Sequence, residues 1–314
     1  MISSLLTTLN DYVQTFRGIN PSTIPDDFAP GTDLRGKWVI ITGGNSGIGF
    51  EAAKFFATWG ANIILACRDP PTYEQHPIDA VKTCREVSKE QGHSSTVEWW
   101  QIDMSCLSSV EAFCQRWLET NHTLDILCNN AGEPSGDPIR MTDDGFQYTH
   151  QIKLLAPVLT TLRLLPSIAK SPEPRIICTV SAAHHMGQLD FEHFNGGPGL
   201  GTLAYSNNKL FFQMWIVEMQ SRFFKHPEYL HITIHGVNPG MVLSSIWNTA
   251  SNKDRPITKF LLQHCGITSK QGSFPIIHAA TSPSAWTGSQ EAECRFTSRM
   301  RWREVYQSSM GGPC

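Results

Sequence analysis

The 314-residue chain contains no run of lysine and arginine, no C-x-x-C pair, no internal repeat and no low-complexity segment. Each absence removes a class of protein. With a formal net charge of −3 and a pI near 6.4, nothing in the sequence offers the electrostatic footprint that nucleic acid requires. Nine cysteines stand apart at 67, 84, 106, 114, 128, 178, 265, 294 and 314. Their odd number and wide spacing argue against a metal site and a disulfide scaffold and fit a reducing compartment, so the cytoplasm is the expected location. The most apolar stretch, LLAPVLTTLRLLPSIA, carries Arg163 and two prolines and is too short to span a bilayer. No transmembrane segment is expected.

The first residues, MISSLLTTLNDYVQTFRG, lack a positive leader and a long apolar centre, so they make a poor signal peptide. Leu5, Leu6, Leu9, Tyr12, Val13 and Phe16 share one helical stripe, which suits an arm packed on the domain or a helix lying on a membrane surface. Residues 17–36 are rich in Pro, Gly and Asp and read as irregular. Together, 1–36 form an expected N-terminal arm.

What is present, 40% hydrophobic and 17% charged residues, is enough for a sizeable core. From residue 37 the chain alternates regularly. A strand-like WVIIT (38–42) leads through glycines to a helix at 50–60 and then to a second apolar strand, NIILAC. Helix 78–91 precedes VEWWQI, and helix 106–120 precedes LDILC. A long helix around 144–169 precedes RIICTV, and the helix containing Tyr205 precedes HITIHGV. Continuous apolar strands alternating with helices predict an α/β fold: a doubly wound, mainly parallel sheet, the Rossmann fold, with helices on both faces. This domain is expected over 37–285, with an atypical tail at 286–314.

TGGNSGIG (42–49) sits between the first strand and first helix. Its glycines let the backbone turn tightly and approach a pyrophosphate, and the following helix N-terminus supplies free N–H groups and a positive dipole end. A plain tight turn would need less, but the strand–turn–helix–strand context favours a dinucleotide. At the end of the second strand the sequence reads ILACRD, placing Cys67 where an acidic residue would favour NAD. Arg68 can grip a 2′-phosphate bidentately, with Asp69 pointing elsewhere, so NADP(H) is the expected cofactor.

LAYSNNK places Tyr205 and Lys209 at i and i+4, on one helix face. An ordinary amphipathic helix would produce the same pair. Its setting separates the two explanations. TGGNSGIG, ILACRD, Asp103 in QIDMS, LDILCNNAG, RIICTVSAAHHMG, LAYSNNK and GVNPGMV occur in that order. In this the chain resembles the short-chain dehydrogenase/reductase family. Within it the likeness is to the retinol-dehydrogenase-like branch that includes the catalytic domain of the WW domain-containing oxidoreductase, without a WW module. It is also similar to reductases of fungal secondary metabolism.

The resemblance implies that Ser181, Tyr205 and Lys209 are catalytic, in an NADP(H)-dependent oxidoreductase acting on a hydrophobic carbonyl or alcohol. It implies cofactor contacts from Gly43, Asn45, Ser46, Gly47, Ile48 and Gly49 in the glycine loop. Arg68 would add to these, with Asp103 at the adenine, and further contacts would come from Asn130, Val242, Tyr205 and Lys209. Asn129, Ala131 and Gly132 would shape the loop beneath the cofactor, and Pro239 and Gly240 would lie beside the nicotinamide. A homo-oligomer is also implied.

The chemistry agrees with these roles. An alkoxide forming as hydride arrives needs a proton, and a phenol with an ordinary pKa near 10 gives one reluctantly at neutral pH. An ammonium about 5 Å away, at an effective dielectric near 20, favours the phenolate by about 3 kcal/mol, roughly two pKa units. A serine hydroxyl at a strand end can hold the substrate oxygen.

Two features depart from the family pattern. Where the branch has Q-V-N-x-L, with an asparagine that supports a water relay, this chain reads QIKLL, so Lys153 stands in the asparagine's place. A second ammonium near Lys209 disfavours both charges, so one lysine is expected to lose its proton or swing away. That raises an alternative function: a protein that keeps the fold but is redox-impaired, acting in binding or as an isomerase or cyclase. The second departure is the tail, TGSQEAECRF and beyond, which lacks the family's closing strand and helix. The apolar residues of 182–204 and 241–248 are expected to line the substrate pocket, and His184, His185 and His193 show no metal spacing.

Overall fold

The computed structural model describes residues 31–70, 75–133, 140–195, 202–243 and 266–282. Most of the expected arm and the whole of the tail from 286 lie outside them. Of the arm, Leu34 is buried and its N–H donates to the Trp59 carbonyl at 2.8 Å, closing the edge of the first helical layer.

Six strands form one parallel sheet: β1 (Trp38–Thr42), β2 (Asn62–Cys67), β3 (Val97–Gln101), β4 (Ile126–Asn129), β5 (Arg175–Thr179) and β6 (Thr233–Val237). Their order is β3-β2-β1-β4-β5-β6, so the winding reverses between β1 and β4. Alternation along each strand feeds two separate cores. Val39 and Ile41 of β1 join Ile63 and Leu65 on one side, where α1 (Gly47–Thr58) and α2 (Pro77–Glu90) pack. Ile40 and Ile64 face the other side, with Trp117 of α3 (Leu107–Glu119). Burial on both faces explains why β1 and β2 read as apolar runs.

The expected long helix at 144–169 is three pieces. It begins with α4 (Tyr148–His150), continues as a π turn (Gln151–Leu155) and finishes as α5 (Ala156–Ile168). The cause is local. Pro157 has no N–H to give and its ring crowds the carbonyl four residues back, that of Lys153, so the ladder widens and the Ala156 N–H bonds to the Gln151 carbonyl. Residues before 148 form a turn closed by Thr142, whose N–H reaches the Phe146 carbonyl at 2.8 Å.

The helix containing Tyr205, α6 (Thr202–Lys225), buries Phe212, Ile216 and Phe223 in the second core. A final helix, α7 (Ser269–Thr281), starts at a capping box in which Thr268 and Gln271 satisfy each other's backbone donors. It packs Phe274 and Ile277 against α1 and completes the first core. Among the described residues no helix is long and apolar enough to cross a membrane.

Candidate active site and cofactor crevice

The carboxyl ends of β1 and β4 flank the reversal in strand order, where an open α/β sheet leaves a crevice. Gly43 and Gly47 adopt φ of 66° and 56°, in the left-handed region, and turn the chain over the strand end. Gly49 is needed for a different reason. A Cβ there would meet Asn130 Nδ2 at 2.4 Å and the Gly43 carbonyl at 2.5 Å. Ser46 caps α1 with its backbone alone: its side chain makes no capping bond, and the first turn carries no acid. The helix N-terminus therefore faces the crevice with its positive end uncompensated by the protein, which fits an anionic pyrophosphate.

Asn45 is buried and donates to the Gln75 carbonyl at 2.8 Å, fixing the loop's outer limb. Ile48 packs with Val242 and Ile267, and the Val242–Ile267 bridge joins the segment after β6 to the start of α7. Gly240, at φ 80°, makes the turn between Pro239 and that bridge. Asp103 folds back on its own turn, its Oδ1 accepting from the Ser105 N–H at 2.8 Å and the Ser105 hydroxyl at 2.7 Å.

Thr42, which the sequence reading passed over, organises the floor. Its hydroxyl accepts the N–H groups of Asn130 and Ala131, both at 2.9 Å, and donates to the Cys128 carbonyl at 3.3 Å. Asn130 Nδ2 returns a bond to the Thr42 carbonyl at 3.0 Å. Asn129 sits below, donating to the Thr161 hydroxyl at 2.8 Å.

Arg68 is not free to meet a phosphate unopposed, as the sequence alone suggested. Its guanidinium lies 3.4 Å from the Tyr148 hydroxyl and 3.9 Å from Glu133 Oε2, and that carboxylate accepts the Tyr148 hydroxyl proton at 2.9 Å. Burial, then Glu133, raises the Tyr148 phenol above its usual range, so it stays a donor. Arg140 lies over the Tyr148 ring at 3.3 Å. The signal for Glu133 was its place directly after N-N-A-G. Asp69 turns away, toward His76 at 3.6 Å.

Ser181, Tyr205 and Lys209 come from two segments that are bound to each other. Ser181 follows β5 and caps a 3-10 turn (Ala182–Met186), its Oγ accepting the Ala183 N–H at 3.2 Å. His184 is tied to the same turn, its Nδ1 lying 2.6 Å from the Ser181 carbonyl. His193 pairs with Asp190 at 2.9 Å. Gly187 lets this turn press on α6, since a Cβ there would meet both the Ser206 carbonyl and Leu210 Cβ at 2.7 Å. The Gln188 N–H then donates to Asn207 Oδ1 at 2.8 Å.

On α6, Lys209 is buried and its ammonium donates to the Thr179 carbonyl at 2.6 Å. Burial pulls its pKa down to about 8, with Cys178 opposing. Tyr205 is half-buried one turn earlier. Lys153 enters from the π turn and places its Nζ 4.8 Å from the centre of the Tyr205 ring. It is itself 3% exposed. Burial, and after it the charge of Lys209, brings Lys153 down to about 7, against the pull of Glu133. The two lysines are thus near enough for the charge of Lys209 to act on Lys153, which lies against the Tyr205 ring. Among the described residues no cluster could hold a metal ion.

The family model of the short chain dehydrogenase matches residues 37–255. The chain belongs to the short-chain dehydrogenase family. It is 33% identical over 254 residues to the WW domain-containing oxidoreductase of Gallus gallus, covering 76% of this chain and 58% of that protein. To retinol dehydrogenase 12 of Mus musculus it is 34% identical, covering 68% of this chain and 64% of the relative. The chain therefore spans less than two thirds of the length of these relatives. Among solved structures, L-sorbose reductase from Gluconobacter frateurii, complexed with NADPH and L-sorbose, aligns with a TM-score of 0.60 at 22% identity, over 81% of this chain and 92% of that one. This likeness establishes the parallel, doubly wound fold of the short-chain dehydrogenases.

Proposed function

We propose that this protein is an NADP(H)-dependent oxidoreductase that moves hydride between a nicotinamide and a hydrophobic carbonyl or alcohol. The observation that carries the reading is the buried Lys209 one helical turn from Tyr205, anchored on Thr179 two residues before Ser181. A bound nicotinamide would supply or accept the hydride. The chain's own residues handle everything else. The α1 N-terminus and the Gly43–Gly49 loop hold the pyrophosphate. Ser181 orients the substrate oxygen, Tyr205 gives or takes its proton, and Lys209 steadies the phenolate electrostatically.

The substrate class rests on exposed apolar side chains beside the site: Met186, Leu189, Phe191 and Phe194 follow the Ser181 turn. The nearest expected pocket residues beyond them, 196–201 and 244–248, lie outside the described set. A reducing setting is supported by the odd number and wide spacing of the cysteines, and Cys84, Cys114 and Cys178 are each pushed up to about 12 by burial. The reading also takes the protein to be cytoplasmic, to form a homo-oligomer, and to serve secondary metabolism.

A fluorescence titration of the purified chain with NADPH tests the cofactor. Saturable quenching is expected, and its complete absence would end the proposal. Arg68 gives a finer test of cofactor choice. Glu133 competes with a 2′-phosphate for the guanidinium, so Glu133→Gln should shift the NADPH:NADH affinity ratio toward NADPH by about fivefold, on the order of 1 kcal/mol for a partly exposed pair. An unchanged ratio would show that Arg68 does not read the phosphate.

A second reading, a fold-retaining protein with impaired turnover, is favoured by one observation: an extra buried cation against Tyr205. It requires that removing Lys153 improve reduction.

A further inference from the structure

We propose that Lys153 is the residue through which Tyr205 exchanges its proton with solvent, leaving Lys209 to hold the phenol's charge. The inference rests on the oxidoreductase reading above and extends it.

The two lysines are bound differently. Lys209 gives a hydrogen bond to the Thr179 carbonyl deep beside β5. Lys153 gives one to the Glu133 backbone carbonyl, on the opposite wall. Glu133 lies at the rim, its side chain 29% exposed. The Lys153 amine therefore lies between the face of the Tyr205 ring and the Gly132 backbone, which is exposed and where an added Cβ would stand 3.6 Å from Nζ. An asparagine in this position could relay a water but could not carry the proton itself.

Among the described residues no ion pair holds Lys153, and the charge of Glu133 offsets its burial only in part. Tyr205 and Lys209 face it from α6, and Cys178 on β5 lies nearer to Lys209. The Glu133 carboxylate is turned to the Tyr148 hydroxyl and toward Arg68. His150, on α4, is held by Asn208 at 2.6 Å. No carboxylate among the described residues pairs with the amine. A buried lysine beside another buried lysine gives up its proton easily. Burial and Lys209 bring it to about 7, within the range where both its forms are populated.

The proton balance is complete. In reduction the carbonyl carbon gains hydride and its oxygen takes the Tyr205 hydroxyl proton. The phenolate recovers a proton from the Lys153 ammonium through one intervening water, and the free amine is reprotonated by solvent. In oxidation the order reverses and the amine must start neutral. Reduction should therefore fall as pH rises through about 7, whereas oxidation should fall as pH drops through the same value.

The test pairs those two pH profiles with a signal that needs no nucleotide. Loss of a cation from above an aromatic ring perturbs its absorption, so the near-ultraviolet spectrum of wild type minus Tyr205→Phe should show a step near pH 7. In Lys153→Met the step and both opposed breaks should vanish, with kcat at neutral pH down by about tenfold and NADPH affinity unchanged. Lys153→Arg keeps a charge but does not release its proton, so it should stay as slow as Lys153→Met. Rescue by arginine would overturn the proposal, as would faster reduction in Lys153→Asn or a wild-type spectrum without the step. A wild type that reduces no carbonyl refutes the oxidoreductase reading instead, and the spectral step still decides the ionisation of Lys153.

Discussion

Tyr205→Phe is expected to lower carbonyl reduction by roughly a thousandfold while leaving NADPH affinity within about twofold. The substitution deletes one oxygen. The ring stays half-buried on α6 and still offers its face to Lys153, so packing changes little. What is lost is the only phenol in direct reach of Lys153 among the described contacts, and with it the proton that must follow hydride. Lys209 does not substitute. Its ammonium donates to the Thr179 carbonyl, and with a pKa of about 8 it keeps its proton at neutral pH. Steady-state rates and a nucleotide titration on the same preparation separate chemistry from binding. Full activity in the phenylalanine variant would remove Tyr205 from the mechanism.

Gly49→Ala should damage the cofactor loop more than any other single methyl group added to it. The new Cβ would fall 2.4 Å from Asn130 Nδ2 and 2.5 Å from the Gly43 carbonyl. Neither neighbour can step aside cheaply. Asn130 is held through its backbone and its side chain to Thr42, and the Thr179 hydroxyl donates to its Oδ1 at 3.3 Å. Overpacking of this kind costs about 1–3 kcal/mol. In a domain of this size that lowers Tm by roughly 2–4 °C per kcal/mol. Because the displaced atoms line the crevice, NADPH affinity should fall by at least about tenfold, or about 1.4 kcal/mol. Gly47 makes a useful contrast. It needs its φ of 56°, but an added Cβ there meets nothing within 4 Å, so Gly47→Asn should be far milder. Equal NADPH binding in wild type and Gly49→Ala would refute the crowding argument.

Much of this architecture can be read directly from the residues. The strands at 38–42 and 62–67 announce themselves because burial on both faces leaves their interiors apolar, whereas the edge strand 97–101 carries Glu98 and an exposed Gln101. The glycine loop is legible because its backbone demands are chemical as well as geometric. The helix 269–281 was missed, although T-S-K-Q carries a capping box, because Pro275 and Gly272 depress its apparent propensity. Gly272 is there for contact: a Cβ would strike Val242 at 2.5 Å. The interruption of the 144–169 segment was equally written in Ala156–Pro157, but a proline early in a helix usually marks a start rather than a π turn. Lys153 could be placed by comparison with the family's motif, yet its reach to Glu133 depends on that turn and is invisible in one dimension. Arg68 shows the opposite failure. Its type and place were plain, but its partners come from two distant segments, 80 residues away in the case of Tyr148.

The Thr42 hydroxyl has a consequence for motion. It pins the end of β1 to the loop leaving β4, and those two segments carry the two walls of the crevice. The sheet is therefore braced along its central seam. For the nucleotide proposed above, the two walls act as a fixed anvil rather than as jaws.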